Sequence, residues 1–440
     1  MPLERSSLLF FLPVILLAGA AAAQEEAPPV VEFSFSNPGA RSMGLGGAFV
    51  ALADDATAAF ANPAGLVSLV RPEVSIEGRG WTYATPGVEG GRGFGPATGQ
   101  GLDVNPGLQV GESTANLGGV SFFSLVYPRQ DWSFAFYRHQ AANYEFAGDT
   151  TALFFGPWPG SPGSRARSWD YRKEMDLEVV SYGLSAAYRV NDDLSVGLGV
   201  SYFQTDLHVS SDSFEIFDPA DPQGLDFWSG HSFFAPELLV SSWSLESADT
   251  DWGLLAGLLW RASERWSLGM VYRQGPKVEG RVEERAGPMH WSQPTDTVYL
   301  SGIGTIDLPS VFGLGAAFRS RGGRLTVGFE WDRVGYSSLL EDADDGLTLA
   351  DGDELHVGAE YVFSRSTPII AARLGAWLDP NHRIAYRGGS YVSQALNLPG
   401  EDEIHLAGGL GLVFKRFQLD LGVDVSDPVG AVSVSTIYSF

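Results

Sequence analysis

Polar and apolar residues alternate with a period of two along most of the chain. In Arg416–Ser426, the residues Phe417, Leu419, Leu421, Val423 and Val425 fall on one face, and Gln418, Asp420, Gly422, Asp424 and Ser426 on the other. Leu325–Asp332 repeats the pattern, with Leu325, Val327, Phe329 and Trp331 set against Thr326, Gly328, Glu330 and Asp332. Asp131–His139 places Trp132, Phe134 and Phe136 on one side. This is the pleat of a β-strand with one apolar face and one polar or small face. Such segments predict fourteen strands, over 71–82, 117–127, 131–142, 176–190, 193–209, 251–261, 265–280, 308–319, 323–336, 353–364, 368–378, 402–414, 416–426 and 430–440. Most run about 11 residues or more, the length a tilted strand needs to cross a bilayer.

The connections alternate as well. Short turns at 128–130, 191–192, 262–264, 320–322, 365–367 and near 415 are interleaved with long segments at 83–116, 143–175, 210–250, 281–307, 337–352 and 379–401. Only 427–429 is short where a long connection is due. An outer-membrane barrel requires this parity, with tight periplasmic turns and long outer loops. The fold class expected is therefore all-β, a transmembrane antiparallel β-barrel of about 14 strands with both termini in the periplasm. Closure removes the open sheet edge that lipid does not tolerate. Tyr127, Trp132, Trp266, Tyr361 and Tyr438 lie near strand ends, where interfacial aromatic girdles belong. The chain ends Ile437-Tyr438-Ser439-Phe440, which resembles the signal read by the barrel-insertion machinery, with Phe440 as its terminal aromatic.

Composition narrows the function. Arg5, the apolar run Leu8–Ala18 and Ala21-Ala22-Ala23 read as a secretory signal peptide over 1–23. The absence of cysteine excludes a lipoprotein anchor, disulfides and thiolate metal sites. The 53 acidic residues against 28 basic ones, a net −25, exclude nucleic acid as a partner. Seven histidines are scattered without an H-E-x-x-H spacing, no nucleophile elbow is present, and the GLGG at 44–47 lacks a following Lys-Ser/Thr. The acidic Glu341–Glu354 lacks EF-hand spacing and reads as a solvated loop. No enzyme, cofactor or metal site is expected.

Residues 24–70 precede the first strand and are expected to form a plug, followed by the barrel over 71–440. They contain MGLGGAFVALADDATAAFANPAGL, in which Ala48–Ala61 predicts a short helix that Pro63 ends at Asn62. The segment is too small to be a core. A barrel of about fourteen strands is wider than its inward side chains fill, so its lumen needs either water or a plug, and this segment is the right size for the plug.

The stretch Ala40–Leu66 resembles the N-terminal hatch of the FadL/TodX-type outer-membrane channels, whose Asn-Pro-Ala motif matches Asn62, Pro63 and Ala64. Asp307–Arg319 (DLPSVFGLGAAFR) and Arg373–Pro380 (RLGAWLDP) resemble later strands of that family. The resemblance implies a monomeric barrel in the outer membrane of a Gram-negative-type bacterium, in contact with outer-membrane lipid. It implies passive uptake of hydrophobic small molecules, long-chain fatty acids or hydrocarbons, gated by the hatch. It makes Asn62, Pro63 and Ala64 candidates for a gate or for a fixed turn. It makes the aromatics of the long loops candidates for substrate capture or for a packed cap: Phe154, Phe155, Trp158, Phe214, Phe217, Phe227, Trp228, Phe233 and Phe234. A family kink in the third strand, opening the wall, maps to Ala141-Ala142-Asn143. Arg138, Arg189, Arg273, Arg319 and Arg373 are expected to pair with lumen acids such as Glu330, Asp420 and Asp424. A PorV-type barrel that holds a partner protein of a surface-export system resembles the same fold and stands as the alternative, with a water-filled porin behind it.

Overall fold

Fourteen strands close into one antiparallel barrel in the computed structural model, which describes residues 37–157, 165–218, 220, 228–287, 297–340 and 346–440. In chain order they are β1 (Glu73–Arg92), β2 (Leu108–Arg129), β3 (Trp132–Thr150), β4 (Asp170–Arg189), β5 (Leu194–Phe214) and β6 (Leu239–Trp260). β7 has two pieces (Trp266–Arg273 and Lys277–Ala286), as has β8 (Val298–Asp307 and Val311–Arg319). Then follow β9 (Leu325–Val334), β10 (Gly352–Phe363), β11 (Ile369–Asp379), β12 (Glu403–Val413), β13 (Phe417–Val425) and β14 (Val429–Ser439). β14 pairs with β1 from Glu73↔Ser439 to Tyr83↔Val429, which closes the cylinder. The proposed signal peptide and the first residues of the hatch lie outside the described residues.

The strands from β1 to β8 are much longer than the alternation suggested. β1 to β6 run 19 to 22 residues, and β9 to β14 run 9 to 12. Much of what reads as outer loop in 83–116, 143–175, 210–250 and 281–307 is strand. The reason, plainest in β4, is an inversion of polarity along the strand. In β4, Tyr182, Leu184 and Tyr188 point outward while Ser181, Ser185 and Ala187 are buried in the lumen. Farther out, Glu174 and Asp176 face solvent while Met175, Leu177 and Val179 turn inward. The pleat continues, but the apolar face changes sides where the strand leaves the lipid. Aromatic pairs mark both edges of the lipid band: Trp132–Tyr188 at 4.7 Å near the tight turns, and Tyr202–Trp252 at 5.0 Å toward the long connections.

The hatch fills the lower lumen. It holds α1 (Ala40–Gly44), α2 (Ala58–Ala61) and a 3-10 turn (Pro63–Ser68). The helix expected over Ala48–Ala61 is confined to Ala58–Ala61. Tertiary hydrogen bonds replace helical ones in the rest. Glu330 Oε2 accepts from the backbone N–H of Phe49 (2.6 Å) and Val50 (2.7 Å). Asp55 Oδ1 accepts from the N–H of Thr57 at 2.9 Å and from its hydroxyl. A short Asp side chain that bonds two residues ahead competes with the helix and sets the turn.

Candidate functional site: hatch, apolar upper lumen and an open seam

The hatch backbone presses directly against the barrel wall. Cross-strand glycines line its seat, among them Gly197↔Gly257, Gly269↔Gly315 and Gly328↔Gly358↔Gly375. A Cβ at Gly257 would stand 2.1 Å from Asn62 Oδ1, and one at Gly358 would stand 2.2 Å from the Leu45 carbonyl oxygen. Only glycine lets the strands approach that closely. Inward serines then receive the hatch carbonyls: Ser185 Oγ donates to Ala59 O at 2.7 Å, Ser195 Oγ to Ala64 O at 2.9 Å and Ser267 Oγ to Ala51 O at 2.8 Å. A plug with little regular structure of its own thus satisfies its buried backbone through the barrel.

Asn62 is fully buried and makes three bonds. Its Nδ2 donates to the carbonyls of Val50 (2.9 Å) and Leu258 (3.2 Å), and its Oδ1 accepts from Ala64 N–H at 3.2 Å. Pro63 opens the 3-10 turn, where its missing N–H costs nothing. Asn62, Pro63 and Ala64 therefore join two hatch segments to strands β5 and β6.

On the opposite wall the hatch is held by charge. Arg41 Nη1 meets Asp54 Oδ1 at 2.6 Å and its Nε meets Glu360 Oε2 at 3.1 Å. Arg373, fully buried, reaches Glu360 Oε2 and Asp420 Oδ1, both at 2.7 Å. Of the arginines expected to pair with lumen acids, Arg373 does so with Asp420, Arg273 pairs with Asp332 at 3.3 Å, and Arg319 reaches Asp54 of the hatch at 2.6 Å. Arg189 donates instead to the Val67 carbonyl at 2.5 Å. Arg138 is only half-buried and donates to the Val120 carbonyl on β2. Asp424 accepts from Trp377 Nε1 at 2.9 Å, and Glu330 is occupied by the hatch N–H groups.

Above the hatch the inward side chains form a buried apolar cluster that includes Tyr83, Tyr144, Phe146, Leu177, Phe203 and Leu207. Several of these residues fall in segments read from the sequence as loop. The signal for them, Met175-x-Leu177-x-Val179 alternating with Glu174, Asp176 and Glu178, is present but has the opposite polarity to a lipid-crossing strand.

The wall is open beside this cluster. The ladder between β2 and β3 runs from Arg129↔Trp132 to Phe122↔His139 and ends there, although β2 continues to Leu108 and β3 to Thr150. A bulge between Gln140 and Ala142 turns β3 away, while its other edge stays paired with β4 to Thr150↔Tyr171. The bulge overlaps the kink position read at Ala141-Ala142-Asn143. Arg138 is the cross-strand partner of Tyr182, so the ladder stops at the outer edge of the lipid band. A cavity of about 660 Å³ lies along this seam, lined by Glu112, Ser113, Phe146, Asp149, Lys173 and Leu396. Ala147 N–H donates to Ser113 Oγ across it at 3.1 Å.

The loop aromatics divide into two groups. Phe154 and Phe155 are buried: Phe154 stacks on Trp228 at 5.5 Å, and Phe155 packs with Leu153, Tyr171 and Leu396. Phe214 is buried edge-on to Phe234 at 5.3 Å, and the Arg172 guanidinium lies over Phe234. Phe217 is 38% exposed and Phe233 73%. Trp158 and Phe227 lie outside the described residues. Phe440, whose ring is exposed, closes the chain by donating its N–H to the Pro72 carbonyl at 3.0 Å.

Known proteins agree with this architecture. No curated protein matches the chain. Among solved structures, the CymD monoaromatic hydrocarbon channel superposes with a TM-score of 0.55 at 18% identity, covering 93% of this chain and 99% of its own. The Ralstonia pickettii toluene transporter TbuX gives 0.53 at 15% identity (92% and 99% covered), and the Pseudomonas putida toluene transporter TodX gives 0.52 at 15% identity (92% and 98%). At these identities the likeness shows the fold. The family model described as outer membrane protein transport protein (OMPP1/FadL/TodX) matches residues 16–357, more than half of the sequence. The chain belongs to this family of outer-membrane β-barrel transport proteins.

Proposed function

We propose that the barrel takes up small hydrophobic molecules passively, with the hatch as its gate and the β2–β3 seam as a side exit. The observation that carries this is the continuity between the apolar lumen and the seam: Tyr144 and Phe146 belong to the apolar cluster and lie on β3 just past the end of its ladder with β2. The similar channels are named for monoaromatic hydrocarbons or toluene, and that class is the substrate proposed here. Burying about 150 Å² of one aromatic ring contributes about 4 kcal/mol at ~25 cal/mol per Å², enough for capture without a charged group. Substrate would meet the exposed rings of Phe217 and Phe233, pass beneath the cap formed by buried Phe154 and Phe155 and half-buried Trp228, and enter the apolar cluster. From there it leaves through the foot of the seam, beside the bulge at Gln140–Ala142, where the wall parts at the outer edge of the lipid band. Asn62-Pro63-Ala64 holds the closed lower lumen through its bonds to β6 and the hatch, and its displacement opens the path downward.

The chain has no cysteine, so a staple across the seam is simple to build. Ser113→Cys with Ala147→Cys joins residues already in contact. Oxidation is expected to abolish uptake of radiolabelled toluene by cells carrying the barrel, and a reductant to restore it. Uptake that is indifferent to the staple would overturn the seam exit. A barrel that purifies with a protein bound to its outer loops and takes up no toluene would overturn transport itself.

A further inference from the structure

Asp332 on β9 and Glu354 on β10 are direct cross-strand partners on the lumen face. Like charges directly opposite each other are destabilising in a sheet. Both carboxylates are buried, which raises the cost, since a buried charge must be paired. Arg273 compensates in part, donating to Asp332 Oδ2 at 3.3 Å. Asp332 Oδ1 is buried and makes no hydrogen bond.

His356 lies two residues beyond Glu354 on the same face, with only 8% of its side chain exposed. Its Nδ1 is 2.8 Å from the carbonyl oxygen of Gly46 in the hatch. A carbonyl only accepts, so Nδ1 carries the proton. In the neutral ring this leaves a lone pair on Nε2, which makes no hydrogen bond and faces Glu354 Oε2 at 3.3 Å. Two acceptors face each other there, and a cation between them resolves the conflict. A proton on Nε2 would answer Glu354 alone and bring nothing to the Asp332 carboxylate. A metal ion meets all three groups at once.

We infer that Asp332, Glu354 and His356 form a binding site for one divalent first-row transition-metal ion, of which Zn²⁺ is the representative. One donor atom from each residue lies within 4.8 Å of the other two. Side-chain rotation draws such a triangle onto a shell of ~2.0–2.2 Å. Two carboxylate oxygens and an imidazole suit zinc and its neighbours better than calcium or magnesium, which take oxygen alone. The Nδ1–H bond to a backbone carbonyl is the outer contact that orients a metal-bound histidine. Here that carbonyl belongs to the hatch, so the ion would fix the imidazole that ties Gly46 to β10. The site opens onto a lumen cavity of about 60 Å³ lined by Met43, Trp81, Tyr83 and Trp377, with room for the remaining ligands to be water.

The test is calorimetric titration of ZnCl₂ into the chelator-stripped full-length barrel in detergent, with thermal unfolding measured in parallel. One ion per chain is expected, with a rise in melting temperature. Asp332→Asn and His356→Gln should each weaken binding on the order of a hundred-fold, at least as much as loss of an outer contact does. His139→Gln, a buried histidine on β3 away from this cavity, should leave it intact. Glu354→Gln serves in place of either variant if that variant fails to fold by circular dichroism. No stoichiometric binding to the wild-type chain would overturn the site. So would binding that survives the triad substitutions, which would place the ion on the acidic loops.

Discussion

The barrel has two unlike halves. Strands β1 to β8 rise beyond the lipid, carry apolar side chains into the upper lumen and part at the β2–β3 seam. Strands β9 to β14 stop close to the lipid band and present Glu330, Glu360 and the imidazole of His356 to the hatch. Both halves use the same pleat, and what differs is what the inward face meets. Above the hatch the tall side meets itself and, in our proposal, an apolar passenger, so exclusion of water organises it, while lower down its serines seat the hatch backbone. On the short side it meets the polar backbone and charges of the hatch, so pairing organises it. Disturbing the apolar upper lumen should change what passes, and disturbing the contacts between wall and hatch should change what stays shut.

Removing Ala40–Leu66 tests that division most severely. The barrel should still assemble, because its fourteen strands and Phe440 remain, and single-channel conductance should rise from nearly closed to openly leaky. A deletion that conducts like the intact chain would show that the hatch does not close the lumen. Next in size is Arg373→Ala, which leaves buried Asp420 without its ion partner and Glu360 with Arg41 alone. Loss of one partner of a buried pair costs ~3–5 kcal/mol, to be read from urea unfolding. Leu177→Asp on the tall side should reduce toluene uptake while shifting unfolding much less. If the two variants exchange these phenotypes, the division of labour is wrong.

Gly257→Ala is smaller. The added methyl overlaps Asn62 Oδ1, and overpacking of this kind costs ~1–3 kcal/mol. Limited proteolysis of the hatch should become faster, and unchanged protection would mean that Asn62 yields without consequence. The smallest effect concerns acid. In the loop after β1, burial would raise the Asp103 carboxyl, but hydrogen bonds from Arg92 and Thr98 and the Arg92 charge hold it below its usual range. A depressed carboxyl contributes stability above its unfolded value, and that contribution is lost as pH falls through the folded value. Order in this outer loop should therefore persist at neutral pH and through the ordinary carboxylate range, ~3.9 for Asp, and fail only below it. Hydrogen exchange of Thr98 and Gln100 across an acid series reads this directly, and Asp103→Asn should remove the transition.

Residues such as Phe417, Leu419 and Leu421 announce their strand because lipid demands apolar side chains at every second position. That demand acts locally, so the strand number, the parity of the turns and the lipid-facing positions were legible one segment at a time. The Asn62-Pro63-Ala64 turn was legible for the same reason, since proline acts on its immediate neighbour. Beyond the lipid no such constraint holds. Glu174–Val179 alternates with its faces exchanged, and only the closed cylinder says which face is inside. The helix expected at Ala48 gave way because Glu330, 280 residues from Val50, offers its N–H groups a better partner. Asp332, Glu354 and His356 have no metal-binding spacing along the chain, and the register of β9 against β10 brings them together. Local chemistry wrote the strands into the sequence, whereas closure and register decided the lumen, because each inward contact joins residues that the chain holds far apart.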